Sequence, residues 1–183
     1  GLNIGKLDTV LVTHEHKDHV KGLEVLIKKY RLPVYTRPDT WSHIDCYNKL
    51  PPGCCNFLDQ ELELGDLKIE AFPISHDAAD PVGYIFYGEN RKCVIATDLG
   101  VVTEEVKNAL EGADVLVLES NHDAEMLAKG PYPPFLKQRI KGRRGHLSNE
   151  QSGRLLCSIY RHKSMQVFLA QLSQVNNHPR LIV

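Results

Sequence analysis

The spacing of apolar and polar residues changes period several times along this chain. Leu7–Thr13 (L-D-T-V-L-V-T) is short, apolar and β-branched, which predicts a buried strand. From Val20 to Tyr30, Leu23, Leu26 and Ile27 recur at helical spacing with lysines opposite, predicting an amphipathic helix. Pro33–Thr36 reads as a short strand, and Asp39 as the cap of a helix running to about Leu50, where Pro51-Pro52-Gly53 stops it. Glu61–Ala71 alternates, with Leu62, Leu64, Leu67, Ile69 and Ala71 in a parity broken only at Gly65-Asp66; that is a β-hairpin. Further strands are predicted at Val82–Tyr87, Cys93–Thr97, Val115–Leu118 and Met165–Ala170. Two more helices follow: Thr103–Leu110 with Thr103 as N-cap, and Ser148–Tyr160 with Ser148 and Gln151 as a capping box. Strands and helices alternate around one hairpin, so the class is mixed α/β in one domain over residues 1–183.

Composition narrows this little. The chain has 183 residues, 42% hydrophobic and 25% charged, which is ordinary for a globular domain. Its longest apolar runs, such as Val115–Leu118, fall far short of a membrane span. A formal net charge of −1 gives no overall field toward polyanions, so any such attraction must be local. The five cysteines (Cys46, Cys54, Cys55, Cys93, Cys157) include no C-x-x-C pair, which argues against a disulfide framework or thiolate site and for a reducing cytoplasm.

The histidines change the picture. Thr13-His14-Glu15-His16-Lys17-Asp18-His19 follows the first strand and places four N or O ligands within six residues. Imidazoles and a carboxylate packed so closely are unfavourable unless a cation gathers them. A tight loop can turn His14 and His16 toward one ion, and Asp18 and His19 toward a second. His76 follows the strand Ile69–Ile74, and Asp98 follows the strand ending at Thr97. Strand ends along one edge are where α/β sites are commonly built. The donors are all nitrogen and oxygen, which suits two divalent ions of zinc, manganese or iron. Asp98 could bridge them, as a neutral imidazole cannot easily do.

T-H-E-H-K-D-H, the lone His76 and Asp98 of A-T-D resemble the metallo-β-lactamase superfamily. L-E-S-N-H-D (Leu118–Asp123), G-P-Y-P (Gly130–Pro133), R-G-H-L-S-N-E (Arg144–Glu150) and F-L-A-Q-L-S-Q-V-N-N (Phe168–Asn177) are similar to its YycJ/WalJ-like branch, a cytoplasmic bacterial group related to ribonuclease Z. The resemblance implies a four-layer αββα sandwich and a dinuclear phosphodiesterase acting on DNA, with 5′–3′ exonuclease action among the expectations. On that pattern His14, His16 and His76 hold the first ion, and Asp18, His19 and Asp98 the second. The implied catalytic set is His146, Glu119 and Asp18, with Glu119 orienting His146 for proton transfer. Gln171 stands where the family places a ligand histidine, so the second ion is expected to bind weakly, with His178 as a substitute ligand to be examined. The family pattern also carries strands before the histidine loop and elements after the last motif. The expectation is therefore a domain incomplete at both ends, with an exposed sheet face open to dimerisation.

Lys137–Arg144 (K-Q-R-I-K-G-R-R) carries five positive charges in eight residues. It reads either as a solvated face or as a phosphate-contacting patch, with Lys141, Arg143 and Arg144 as the candidate contacts. His122 and Asp123 are candidates for lining a cleft, with helix capping by Asn121 as the alternative. His43 and His162 read as structural. Two other functions share the same residues: an acyl hydrolase for lactones, β-lactams or thioesters, and a catalytically weak metal-binding protein.

Overall fold

The structure, a computed structural model, describes residues 3–159 and 164–181. Its strands form two sheets. Val10–Leu11 (β1), Val34–Thr36 (β2) and Cys55–Phe57 (β3) make a parallel three-stranded sheet in that order. The second sheet has six strands in sequence order: Glu61–Leu64 (β4), Leu67–Pro73 (β5), Val82–Gly88 (β6), Arg91–Ala96 (β7), Val115–Glu119 (β8) and Gln166–Ala170 (β9). Pairings from β4 to β7 are antiparallel, and β7–β8 and β8–β9 are parallel. The helices are Lys17–Val20 (α1), Leu23–Tyr30 (α2), Pro38–Ser42 (α3), Glu104–Leu110 (α4), Ala124–Lys129 (α5), Pro134–Lys141 (α6) and Asn149–Ser158 (α7).

Strand parity sorts the side chains into layers. On β5 and β6, Ile69, Val82 and Tyr84 face inward with Leu58, and Leu11 and Tyr35 of the small sheet pack against them. Phe72 and Ile85 point the other way, joining Val94, Ala96, Leu116 and Leu118 beneath Val106 and Leu110 of α4 and Leu155 of α7. On the far side of the small sheet, Leu23 and Ile27 of α2 and Trp41 of α3 cover Val34. The order helix, sheet, sheet, helix is the expected αββα sandwich.

Several elements differ from the pattern-based expectations. The first strand shrinks to two residues because Ile4–Lys6 takes a 3₁₀ turn and leaves Leu7 partly exposed. The helix expected from Val20 divides at Gly22. Asp39 lies inside the first turn of α3, behind Pro38 and the N-cap Arg37, and the helix ends at Ser42 rather than near Leu50. Strand β3 and helices α1 and α6 were not predicted, and α5 was expected only in the alternative of a helix capped by Asn121. His43 closes α3; His162 lies outside the described residues. The Thr103 cap and the Ser148–Gln151 capping box form as expected. The inner face of the large sheet is covered unevenly: Phe168 is 50% exposed. A cavity of about 890 Å³, lined partly by Leu7, Leu11, Leu67, Phe86 and Ile95, opens between the sheets.

Gly100 fixes how the loop after β7 meets the rest. Its N–H donates to Ser75 O at 2.8 Å. A Cβ there would stand 2.2 Å from Arg143 O and 2.6 Å from Arg144 Cα, both backbone atoms that cannot swing aside. Gly100→Ala should therefore destabilise the fold by about 1–3 kcal/mol through overpacking. Urea unfolding reads this as a lowered midpoint at constant slope; an unchanged midpoint would mean that the loops separate without cost.

Candidate metal centre and cleft

His14 continues β1 inward, held where Tyr84 Oη and Thr36 Oγ1 both donate to Val12 O at 2.7 Å. Glu15 Oε1 accepts from Ala79 N at 2.8 Å, which ties this loop to the one carrying His76. Asp18 and His19 lie on α1. Five imidazoles then meet. Ring centroids of His14 lie 4.6 Å from His16, 4.0 Å from His19 and 4.9 Å from His76, and those of His76 and His146 are 5.1 Å apart.

Each ring commits one nitrogen outward. Thr13 Oγ1 bonds His14 Nδ1 at 3.0 Å and His19 Nδ1 at 3.4 Å. His16 Nε2 donates to Asp77 O at 3.2 Å, and His76 Nδ1 to Gly145 O at 3.2 Å. His146 Nδ1 donates to Glu119 Oε1 at 2.6 Å. The other nitrogens turn inward: His76 Nε2 lies 3.3 Å from His16 Nδ1, and His19 Nε2 lies 3.6 Å from Asp98 Oδ2. His14 Nε2 and Asp98 Oδ2 are buried with no hydrogen-bond partner among the described residues. Outer partners that fix tautomer and ring orientation are the usual support of metal-ligating histidines. Ligand atoms of His14, His16 and His76 lie within 4.8 Å of one another, as do those of His14, His19 and Asp98, and of His76, Asp98 and His146. The residues therefore fit divalent ions.

Charge in the cluster follows burial. Burial and the neighbouring His19 push His14 down to about 3, and burial lowers His76. Both rings are thus neutral with a lone pair to offer. Burial alone would lower His146 too, but the bond to Glu119 outweighs it and raises the group; burial raises Glu119. Glu119 is fully enclosed and also accepts from Leu99 N at 2.7 Å and Leu147 N at 3.2 Å.

The other predicted residues are sorted differently. Asp18 stays at the rim, its side chain 73% exposed and Oδ2 3.8 Å from His19 Nε2. Gln171, at φ 58°, donates from Nε2 to Asp98 Oδ1 at 2.7 Å. His178 is exposed, its Nδ1 accepts from Arg180 N, and it belongs to none of these clusters. Asp123, not Asn121, caps α5, accepting from Met126 N; Asn121 Nδ2 instead donates to Gln171 O. His122 is buried, and burial pushes it down to about 4. Arg144 donates to His76 O and Ala78 O, bracing the His76 loop, and neither it nor Lys141 or Arg143 lines the cleft.

That cleft, about 560 Å³, runs past His16, His76, Asp98 and His146 to Arg139 on α6. Asp77 and Arg139 are residues that sequence reasoning missed. Asp77 adjoins His76, and Arg139 stands at helical spacing from Leu136, but polar residues in a basic run give no hydrophobic period to read.

Glu119→Ala should leave Leu99 N, Leu147 N and His146 Nδ1 without their acceptor. A buried unpaired group costs about 1–3 kcal/mol, so a loss of about 3–5 kcal/mol in denaturant unfolding is expected. A change below about 1 kcal/mol would mean that water replaces the carboxylate at no cost.

Comparison with known proteins agrees with this geometry. The sequence matches the β-lactamase superfamily domain over residues 2–167. It is 40% identical to exodeoxyribonuclease YycJ of Bacillus anthracis, covering 98% of this chain and 69% of that protein. Identity to exodeoxyribonuclease WalJ of Streptococcus pneumoniae is 35%, over 93% of this chain and 65% of that protein. The chain thus spans about two thirds of the length of these relatives. Among solved structures, the metallo-β-lactamase fold protein YhfI from Bacillus subtilis superimposes with a TM-score of 0.72 at 18% identity, over 98% of this chain and 70% of that one. With its motifs, layers and histidine cluster in agreement, the chain belongs to the metallo-β-lactamase superfamily, in the YycJ/WalJ-like branch.

Proposed function

We propose that this chain carries the catalytic centre of a metal-dependent phosphodiesterase that cleaves DNA, as an exonuclease. The observation that carries the reading is the set of inward-facing nitrogens gathered around Asp98, each ring fixed from outside. The two relatives named exodeoxyribonuclease support DNA as substrate.

In this reading His14, His16 and His76 would hold one ion, and His19, Asp98 and Asp18 would hold a second. Two such ions would supply charge stabilisation for the attacking and departing oxygens of a phosphodiester. His146 keeps Nδ1 on Glu119 and so presents Nε2 toward the cleft it lines. From there it gives a proton to the departing oxygen as the P–O bond breaks, and the oxygen of a water, which releases a proton to solvent, takes its place on phosphorus. The apolar side of the cleft (Tyr132, Leu136, Ile140, Val175) gives a nucleobase a surface to pack on. A cytoplasmic location fits five cysteines that are all unpaired; no helix of the described residues is long and apolar enough to cross a membrane.

The test compares metal-loaded wild type and His16→Ala on single-stranded DNA and bis-p-nitrophenyl phosphate, beside nitrocefin and a thioester. Phosphodiester cleavage by wild type, with one ion and nearly all activity lost in His16→Ala, is expected. Cleavage of the acyl substrates alone would overturn the reading.

The second ion is the weaker one in this scheme, because Gln171 supplies no imidazole and its amide occupies Asp98 Oδ1. Two carboxylates suit a hard ion such as manganese better than zinc. Histidine tolerates the left-handed backbone at this position better than most residues. Gln171→His should therefore raise second-site affinity at least about tenfold, the lower end of what outer-shell partners alone contribute. Metal titration followed by calorimetry measures this; two equivalents already bound tightly by wild type, with no gain in the variant, would refute it.

A further inference from the structure

Folding divides the basic run 137–144. Lys137 Nζ donates to Ala128 O, Arg144 is committed to two carbonyls of the His76 loop, and Lys141 and Arg143 are exposed away from the cleft. Helix α6 turns Leu136, Arg139 and Ile140, at i, i+3 and i+4, toward the cleft. Among the described residues, Arg139 is the one lysine or arginine that lines it.

Arg139 is held there by a single nitrogen. Its Nε donates to Asp77 Oδ2 at 2.5 Å, its side chain is 57% exposed, and no acceptor among the described residues bonds Nη1 or Nη2. The other oxygen, Asp77 Oδ1, stands 3.5 Å from His76 Nε2 and 3.7 Å from His16 Nε2. The guanidinium is thus one carboxylate away from the histidine cluster, with the half of its fork that suits a second oxyanion unused. Neutralising Asp77 also removes a negative charge that would repel an incoming phosphate.

Resting on the phosphodiesterase reading above, we propose that Arg139 grips a substrate phosphate at the histidine cluster through Nη1 and Nη2, while Asp77 anchors it by Nε. Leu136 and Ile140 on the same helix face then meet the attached nucleoside. A cleft of about 560 Å³ is large enough to admit one nucleotide. Arg139 is a binding residue that favours polyanions over neutral acyl substrates.

The experiment uses metal-loaded protein, with metal content checked by elemental analysis. Binding of a phosphorothioate-protected single-stranded oligodeoxynucleotide is measured by anisotropy across a salt series, and KM and kcat on the unprotected strand. Arg139→Ala should weaken binding about tenfold or more, as expected for a lost charged hydrogen bond. It should flatten the salt dependence by about 0.7 units of slope, one phosphate contact on a single strand, with the loss falling on KM more than on kcat. Arg139→Lys should recover the slope but only part of the affinity, because a point charge cannot bind in bidentate fashion. Lys129→Ala, which removes an exposed charge from α5, should behave as wild type. An unchanged affinity and slope in Arg139→Ala, while wild type still cleaves DNA, would overturn the proposal and leave the phosphodiesterase reading intact. Metal loss in both Arg139 variants would overturn it in favour of a structural tie to Asp77. A wild type that neither binds nor cleaves DNA would remove the reading and this inference together.

Discussion

The site depends on one buried carboxylate. Glu119, at the end of β8, has no exposed surface, and its oxygens accept from Leu99 N, Leu147 N and His146 Nδ1. Burying such a group costs several kcal/mol, and two backbone donors and an imidazole offset it. What those bonds join is the loop after β7, which carries Asp98, and the loop before α7, which carries His146. The two side chains consequently face each other at 3.8 Å. Ser152 Oγ donates to Glu119 O at 2.5 Å, so α7 is locked to the same point.

Strand direction explains why the other donors arrive at the same place. β5 and β7 are each antiparallel to β6, so they run the same way, and β8 and β9 follow β7 in parallel. The C-terminal ends of β5, β7, β8 and β9 therefore share one edge and deliver His76, Asp98, Glu119 and Gln171 to it. The Gly100 N–H to Ser75 O bond and the Arg144 bonds to His76 O and Ala78 O fasten neighbouring loops across that edge. Backbone geometry, rather than long flexible side chains, sets the separations.

Much of this was legible because it repeats locally. The alternation in Glu61–Ala71, the Thr103 cap and the Ser148–Gln151 capping box are each written within one element, and each formed, while the run His14–His19 set its imidazoles side by side. What escaped was decided between elements. Thr13 looks like the last residue of a strand, yet it bonds two imidazoles. Arg144 looks like a phosphate contact, yet its guanidinium meets carbonyls sixty-odd residues away in the chain. Helix α6 has too few apolar residues for a clear period and starts at a proline, so the direction of each charge in it could be known only once it was packed.

The inner face of the cluster bears on stability as well as chemistry. His14 Nε2 and Asp98 Oδ2 are buried with no hydrogen-bond partner among the described residues, and a bound cation would meet both. Burial disfavours the protonated forms of His14 and His76, so protons compete less with a cation for their inward lone pairs. Any ion that binds the folded chain and not the unfolded one stabilises it in proportion to the logarithm of its concentration over its dissociation constant. The outward hydrogen bonds of each ring keep the inward lone pairs aimed at one another, which is the arrangement an ion requires.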